Sequence, residues 1–480
     1  MNFFGRENEL AQLSALWNKR VSSLVTCRGR RRVGKSTLIE RFAAVTGSRF
    51  LKIEGRRPKP GMSGADERAA FASQLADQSE AERTPPASWN DAFRRLSREI
   101  RDTEKTVVLL DEISWLAHYD DAFADELKIA WDNILKKHDR LVLVLCGSVS
   151  SWLRDNIVDN AAYVGRRSLD IVVRELPLRD CVRFWDSVVQ RTSPTEIFDV
   201  LSVTGGVPRY LEEIDPALPA AENVRRLAFL PNSVLRTDFD EMFSDVIIRR
   251  PAFTGRVLRA LVDGPKGTDE LAGDLGVPRS GNITLALRQL EDAGLVAREA
   301  GRNPESGRPV KNRRYRIRDN YARFYLKFVE PVKEVVDDGS FAFASMEQFD
   351  GWETVMGLQF ETLVVNNYPE LLPALHLGRA LIVSAAPFHR NAAAPESGRK
   401  GLQIDLLLQT RQSVCIVEIK RQRRIGKEVV AEVEEKCRRL SRPAGVSLKT
   451  ALVYDGELAP SVEADAYFDA LVPARRLLGL

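Results

Sequence analysis

The apolar positions of the chain follow two rhythms. Continuous apolar runs occur at Ser23–Thr26, at TVVLL (Thr106–Leu110) and at LVLVLC (Leu141–Cys146), whereas Lys35–Ala44 and FADELKIAWDNILKK (Phe123–Lys137) repeat with helical spacing. A strand buried on both faces has no polar side to show, so continuous apolar strands alternating with helices predict a parallel sheet covered on both faces. Beyond Pro177 the pattern is mainly helical to about Asp245, as in a small lid. From Val257 to Ala300 helix follows helix across a turn at Gly276, and a hairpin-like segment ends in RRYRI (Arg313–Ile317). That is the outline of a winged helix-turn-helix. The stretch EVVDDGSFAFASMEQ (Glu334–Gln348) breaks the periodicity and reads as a linker to a last domain starting near Gly351. The expected organisation is multidomain α/β, with a P-loop ATPase domain at 1–176, a helical lid at 177–245, a winged helix at 246–330, a linker at 331–350 and a last domain at 351–480.

Length agrees with this division, since 480 residues at roughly 100–200 per domain make three or four domains. Apolar content of 44% with 29% charged residues is that of a globular protein. No apolar run reaches the roughly 18–20 residues of a membrane helix, and MNFFGRENEL lacks the apolar core of a secretory signal, so a cytoplasmic protein without membrane contact is expected. The five cysteines are odd in number and scattered among apolar neighbours, which reads as reduced core residues. None of the four histidines stands beside a cysteine at zinc-ligand spacing. A net charge of +4 gives no global nucleic-acid signature, so any such partner must be met by local clusters.

The loop GRRRVGKS, Gly29–Ser36, fits G-x-x-x-x-G-K-[ST] and lies between a strand and a helix. Its glycines let backbone N–H groups turn inward around phosphate oxygens, and the following helix aims its positive end at the same anion. Arg32, Val33, Gly34 and Thr37 are expected at the nucleotide through this loop and first helical turn, with Lys35 reaching the β- and γ-phosphates and Ser36 ligating Mg²⁺. The side chains of Arg30, Arg31 and Arg32 are not required by this mechanism and are left to solvent, to acidic partners on neighbouring helices, or to nucleic acid. Asp111 and Glu112 end the strand TVVLL, where the first carboxylate can hold Mg²⁺ and the second can orient the attacking water. Ser148, after the next strand, is placed either to sense the γ-phosphate or to cap a helix.

An ordered set of segments resembles the STAND-type P-loop ATPases, AAA+-like proteins, in the archaeal-ATPase branch whose members carry a nuclease-like carboxy-terminal region. These are FFGRENEL, GRRRVGKST, LLDEISWL, LCGSVSSWL, YVGRR and TGGVPRYL, which span about the first half of the chain. The resemblance implies that Gly5 and Arg6 lie near the adenine, that Arg166 or Arg167 is an arginine finger, and that Pro208 touches the nucleotide from the lid.

In the winged-helix segment, Ser280–Ala293 is the expected recognition helix, offering Arg279, Asn282, Arg288 and Gln289. Arg298, Arg302, Arg308, Lys311, Arg313, Arg314 and Arg316 make a basic wing, of the kind that meets phosphate without reading sequence, or else a module that packs between ATPase and effector.

The last domain holds QIDLLLQTRQSVCIVEIK, Gln403–Lys420. Its E-x-K triplet is shared with Glu126–Lys128 and Glu434–Lys436, both in helical stretches where surface charge is expected. A hairpin through QTRQS pairs the two strands antiparallel, which sets Asp405 beside Glu418, with Lys420 on the same face by the two-residue period. Two carboxylates beside a lysine suit a hard cation such as Mg²⁺. This resembles the PD-(D/E)xK nuclease superfamily, a restriction-endonuclease-like α/β fold. The surrounding order agrees, with a helix at Trp352–Asn366, strands ALIVSA, QIDLLLQ and SVCIVEIK, helix KEVVAEVEEKCRRL and strand KTALVYDG. The resemblance implies that Glu361 completes the metal shell, while Lys427 and Lys436 read as helix-surface charge or as phosphate contacts. The expectation is an ATP-driven switch coupled to a Mg²⁺-dependent DNA nuclease, with ATP-dependent self-assembly through an arginine finger. The alternative is a signalling or DNA-binding regulatory ATPase whose last domain is catalytically silent.

Overall fold

The structure is a computed structural model and describes residues 3–148, 150–246, 250–279, 281–310, 313–391 and 401–480. Ser280 and Lys311, singled out above, lie outside the described residues. The chain divides into two units, the first formed by Met1–Leu176 with two short later segments and the second by most of Pro177–Leu480.

Five parallel strands form the sheet of the first unit: β1 (Ser23–Arg28), β2 (Arg49–Glu54), β3 (Thr106–Asp111), β4 (Leu141–Gly147) and β5 (Arg167–Val172), in the order β2-β3-β4-β1-β5. Each central strand divides its side chains between two cores. Leu24, Val108, Leu110, Leu143 and Leu145 join one with Trp89 and Phe123, and Val25, Cys27, Val107, Leu109, Val144 and Cys146 join the other with Leu38 and Phe42. That double burial is why these three strands read as unbroken apolar runs. The strands β2 and β5, absent from the sequence expectation, lie at the two edges of the sheet. Their sequences, RFLKIE and RSLDIV, mix charge with apolar residues because only part of an edge strand is covered.

The second unit begins with helices that include Pro194–Thr204, Pro208–Leu211 and Ala220–Ala228. Helices Pro251–Ala260, Thr268–Leu275 and Gly281–Asp292 follow, with three short antiparallel strands, β6 (Lys266–Gly267), β7 (Val296–Arg298) and β8 (Arg314–Ile317), ordered β6-β8-β7. The segment expected to be a linker is packed. Phe341 and Phe349 stack on the buried Phe229 at ring distances of 5.4 and 5.0 Å, and Phe349 also meets Trp352. The alternation F-A-F, read as a break in helical period, is the spacing that sends both aromatics to one side of an extended strap.

The last sheet holds β9 (Ser384–Arg390), β10 (Leu402–Gln409), β11 (Ser413–Ile425), β12 (Ser447–Leu458) and β13 (Ala470–Pro473), ordered β13-β12-β11-β10-β9. The pairs β9·β10 and β10·β11 are antiparallel, and β11·β12 and β12·β13 are parallel. Helix Trp352–Asn366 forms where expected. The strand expected at Ala380–Ala385 instead runs from Ser384 to Arg390. Its pairing begins at Ser384↔Gln409, where β10 ends; the Val383 amide still donates to the Gln409 carbonyl at 2.7 Å, and Leu381 before it is left 70% exposed. Ile404, Leu407, Val414 and Ile416 pack with Val429 and Val433 of helix Glu428–Arg439, which lays this helix on the hairpin.

Candidate functional sites

The first site stands at the end of β1. Gly29 has φ +152°, and a Cβ there would lie 2.1 Å from the carbonyl oxygen of Val173, so no side chain fits. Arg32 at φ +69° and Gly34 at φ +83° are also left-handed, and these reversals wind the loop into a cradle of inward amides. Gly34 starts helix Lys35–Val45 without a side-chain cap, which leaves the first-turn amides, those of Lys35, Ser36 and Thr37, for an anion. Val33 is buried in the adjoining core. Lys35 is buried and folds back, its Nζ donating to the carbonyls of Gly29 at 3.2 Å and Arg30 at 3.0 Å. Arg30, expected at solvent, at an acidic partner on a neighbouring helix or at nucleic acid, is 2% exposed.

Ser36 Oγ donates to Asp111 Oδ2 at 2.5 Å. Lys52 of β2 stands 3.6 Å from the same oxygen. A hydroxyl and a carboxylate already in contact are hard oxygen donors, a set that fits Mg²⁺. Glu112 follows in a left-handed conformation, φ +45°, and accepts the Ser148 hydroxyl at 2.8 Å and the Ser148 amide at 3.2 Å. The pairing of β3 with β4 brings these two strand ends together.

Around the loop, the structure gives other residues definite tasks. Gly5 and Arg6 are both left-handed, and Arg6 Nη2 donates to the carbonyls of Val33 at 3.0 Å and Arg174 at 2.6 Å. Arg6 therefore braces the phosphate loop from behind. Arg166 grips Asp132 with two hydrogen bonds of 2.8 and 2.9 Å, which hold that carboxyl below the usual range. Arg167 donates to the carbonyl of Val158. Pro208 belongs to the second unit, at the first turn of helix Pro208–Leu211 after two left-handed glycines, Gly205 and Gly206.

The second site is on the β10–β11 hairpin. Leu406 pairs with Val417, which carries Asp405 to the level of Glu418, and the Ile419 amide donates to Asp405 Oδ2 at 2.9 Å. Against β9, the register of β10 shifts between Ile404 and Leu407, a bulge that turns Asp405 at this point. Burial, then the Glu361 charge, pushes Asp405 up to about 7. Burial, then the Asp405 charge, pushes Glu418 up to about 7 as well. Burial likewise lifts Glu361 to about 7. Glu361 thus stands within electrostatic reach of both hairpin carboxylates, although among the described residues no three His, Cys, Asp or Glu side chains are gathered as metal ligands.

Two lysines and a second glutamate close a ring with Glu418. Lys420 Nζ is 2.9 Å from both Glu418 Oε1 and Glu432 Oε2. Lys436 Nζ is 2.6 Å from Glu418 Oε2 and 3.0 Å from Glu432 Oε1. Although burial opposes it, the hydrogen bonds from Lys420 and Lys436 bring Glu432 down to about 2. These groups line a cleft of about 440 Å³ bounded further by Gln403, Glu435 and Arg439. Glu432 did not figure in the sequence reading. Lys436, read there as surface charge or as a phosphate contact, is here a side chain turned into the cleft. The signal was present in the spacing, because Lys436 follows the buried Val429 by seven residues and Val433 by three, on the helix face that meets the sheet. Lys427, by contrast, is exposed and paired with Asp465.

The arginines expected to form a basic wing are partly consumed internally. Arg314 donates to Glu270 at 2.9 Å and Arg316 to Asn366 at 2.8 Å. Arg279 is paired with Asp269, and Gln289 lies at hydrogen-bond distance from Thr254.

Residues 3–214 match a family described as an ATPase domain predominantly from Archaea, and this part of the chain is an archaeal-type ATPase domain. An uncharacterised protein of Methanocaldococcus jannaschii is 22% identical over 344 residues, 71% of each chain. The Walker-type ATPase of Pyrococcus abyssi, 17% identical, shares the fold over 68% of this chain and 96% of its own, with a TM-score of 0.51. The ORC2 protein of Aeropyrum pernix, solved as ADPNP–ADP complexes, is 13% identical and covers 70% of this chain and 94% of its own at a TM-score of 0.43. Among the described residues no helix is long and apolar enough to cross a membrane.

Proposed function

We propose that the chain is a STAND-type, AAA+-like switch that binds and hydrolyses ATP and governs a Mg²⁺-dependent DNA nuclease centred on Asp405, Glu418 and Lys420. The observation that carries the ATPase half is the Ser36–Asp111 contact of 2.5 Å beneath an uncapped helix start. Lys35, Ser36 and the loop amides would hold the phosphates, Ser36 and Asp111 the ion, and Glu112 the attacking water. Arg166 would serve a neighbouring subunit once released from Asp132, and Pro208 would carry the nucleotide state into the lid.

The nuclease half rests on the convergence of Asp405 and Glu418 with Lys420 at a bulge in a cleft. Glu418 is 0% exposed and its Oε1 is met at 2.9 Å by the Lys420 ammonium, so a cation already stands where a divalent ion would be held. Asp405 and Glu418, with Glu361 nearby, would hold the divalent ion, which supplies charge stabilisation and a more acidic bound water. Lys420 would steady charge developing on the phosphodiester. Helices Pro251–Ala260, Thr268–Leu275 and Gly281–Asp292 with their three-stranded sheet are read as a winged helix that contacts DNA. The cytoplasm is the compartment this reading requires.

Incubating plasmid and single-stranded DNA with the full chain, ATP and Mg²⁺ tests this. Cutting that vanishes in Asp405→Ala supports the nuclease, and equal products from both proteins exclude it. A second reading, a regulatory ATPase with a silent last domain, is favoured by the closed ion-pair ring that neutralises Glu418. It requires ATP turnover that is lost in Lys35→Ala, with no Mg²⁺-dependent cutting under any condition.

A further inference from the structure

A carboxylate buried as deeply as Glu418, 0% exposed, has to be compensated by a cation at hydrogen-bond distance. Two ammonium groups do so, one on each oxygen, and they differ in origin. Lys420 is two residues along the same strand, whereas Lys436 arrives from helix Glu428–Arg439 and makes the shorter contact, 2.6 Å on Oε2. Lys436 lines the same cleft as both carboxylates of the hairpin. A divalent ion shared by Asp405 and Glu418 needs this same region of space and the same lone pairs. Like charges at such separation repel strongly where water is scarce.

The helix provides an alternative partner. Glu432 lies one turn before Lys436, already touches its ammonium at 3.0 Å, and is 44% exposed in its side chain where Glu418 is not. A lysine side chain has the rotamer freedom to leave Glu418 and keep this i,i+4 partner.

We infer that Lys436 is a positioning residue of the second site: its ammonium holds the divalent-ion position, and Glu432 receives it when the ion arrives. This rests on the reading of Asp405 and Glu418 as metal ligands. Loading of the site is then an exchange of one cation for another, and the affinity for metal is set below that of the bare carboxylates.

The test is Mn²⁺ binding to the full chain without nucleotide, followed by the loss of the free-ion electron paramagnetic resonance signal. Lys436→Met is expected to tighten binding by about tenfold, and Lys436→Arg, which keeps the charge, to leave it near the wild-type value. Glu432→Gln is expected to weaken binding about threefold in the wild-type background and clearly less in the Lys436→Met background, where only its contact with Lys420 remains. A general loss of negative charge would weaken both backgrounds equally and would overturn the role of Glu432. If Glu418→Gln abolishes binding while Lys436→Met leaves it unchanged or weaker, the metal site stands and the role of Lys436 falls. If Glu418→Gln leaves Mn²⁺ binding untouched, the metal reading falls and takes this inference with it.

Discussion

Ser148 ties down Glu112: its hydroxyl donates at 2.8 Å and its amide at 3.2 Å to one carboxylate oxygen, across the boundary between β4 and β3. A glutamate in a left-handed conformation is held against a backbone preference that costs about 1 kcal/mol or more, so its position depends on such a tether. Glu112→Gln is expected to lower ATP turnover by at least about a hundredfold with nucleotide binding retained. Ser148→Ala should lower kcat about tenfold and leave the ATP dissociation constant within about threefold. Single-turnover hydrolysis beside fluorescent-nucleotide binding separates the two effects. A Ser148→Ala enzyme with unchanged kcat would assign Ser148 to helix capping alone.

Gly29 has no room for a methyl group. Its φ of +152° and the Val173 carbonyl, which would sit 2.1 Å from a Cβ, make Gly29→Ala a backbone clash that a flexible side chain cannot relieve. We expect a loss of about 2 kcal/mol or more in the stability of the first unit, together with loss of ATP binding. Gly34→Ala meets no atom within 4 Å and is strained by its φ of +83° alone, so it should cost less, about 1 kcal/mol. Calorimetric unfolding of the two variants checks the order.

How far these sites were legible depended on the range of the interactions that make them. The phosphate loop is a local motif, and the strand that ends in Asp111 is apolar because it is buried on both faces, so both could be read from short windows. The Asp405–Glu418 pairing needed one further step, a hairpin of known period. What failed was long-range or partial. The edge strands β2 and β5 lack a full apolar pattern. Strand β9 took its start from where β10 ends and not from its own most apolar residues. Lys436 shares its E-x-K triplet with a solvent-facing helix stretch, and only the packing of Val429 and Val433 on the sheet decides that it points inward. Glu432 carries no sequence signal apart from its spacing to Lys436.

The strap before helix Trp352–Asn366 makes a separate test of packing. Phe229 is 2% exposed and receives Phe341, Phe343 and Phe349, all with ring centroids within 5.4 Å. Phe229→Ala is expected to destabilise the second unit by about 3 kcal/mol, since it both removes a buried ring and strips the strap of its partner. Limited proteolysis should then cut between Ser340 and Gln348 at a rate well above that of the wild type. An unchanged cleavage pattern would mean that the strap is held by something other than this aromatic cluster.

The two hairpin carboxylates give the second unit a pH dependence of defined sign. Asp405 and Glu418 are both raised to about 7 in the folded chain, above the unfolded values of roughly 4 for such groups. A carboxyl that keeps its proton longer when folded contributes stability that is fully present below the unfolded pKa. That contribution declines as pH rises toward the folded pKa, because the unfolded chain ionises freely while the folded one resists. Glu361, Lys420 and Lys436 face the same pair, and the lysines oppose the trend without reversing it. In the absence of divalent ions, the β10 and β11 amides should therefore open more easily at pH 8 than at pH 5, by a free energy of about 2 kcal/mol. Hydrogen exchange corrected for its intrinsic pH dependence reports this locally. Asp405→Asn should flatten the profile and raise protection at pH 8, since it removes the charge that Glu418 would otherwise face. A variant whose profile parallels the wild type would place the pH sensitivity elsewhere in the second unit.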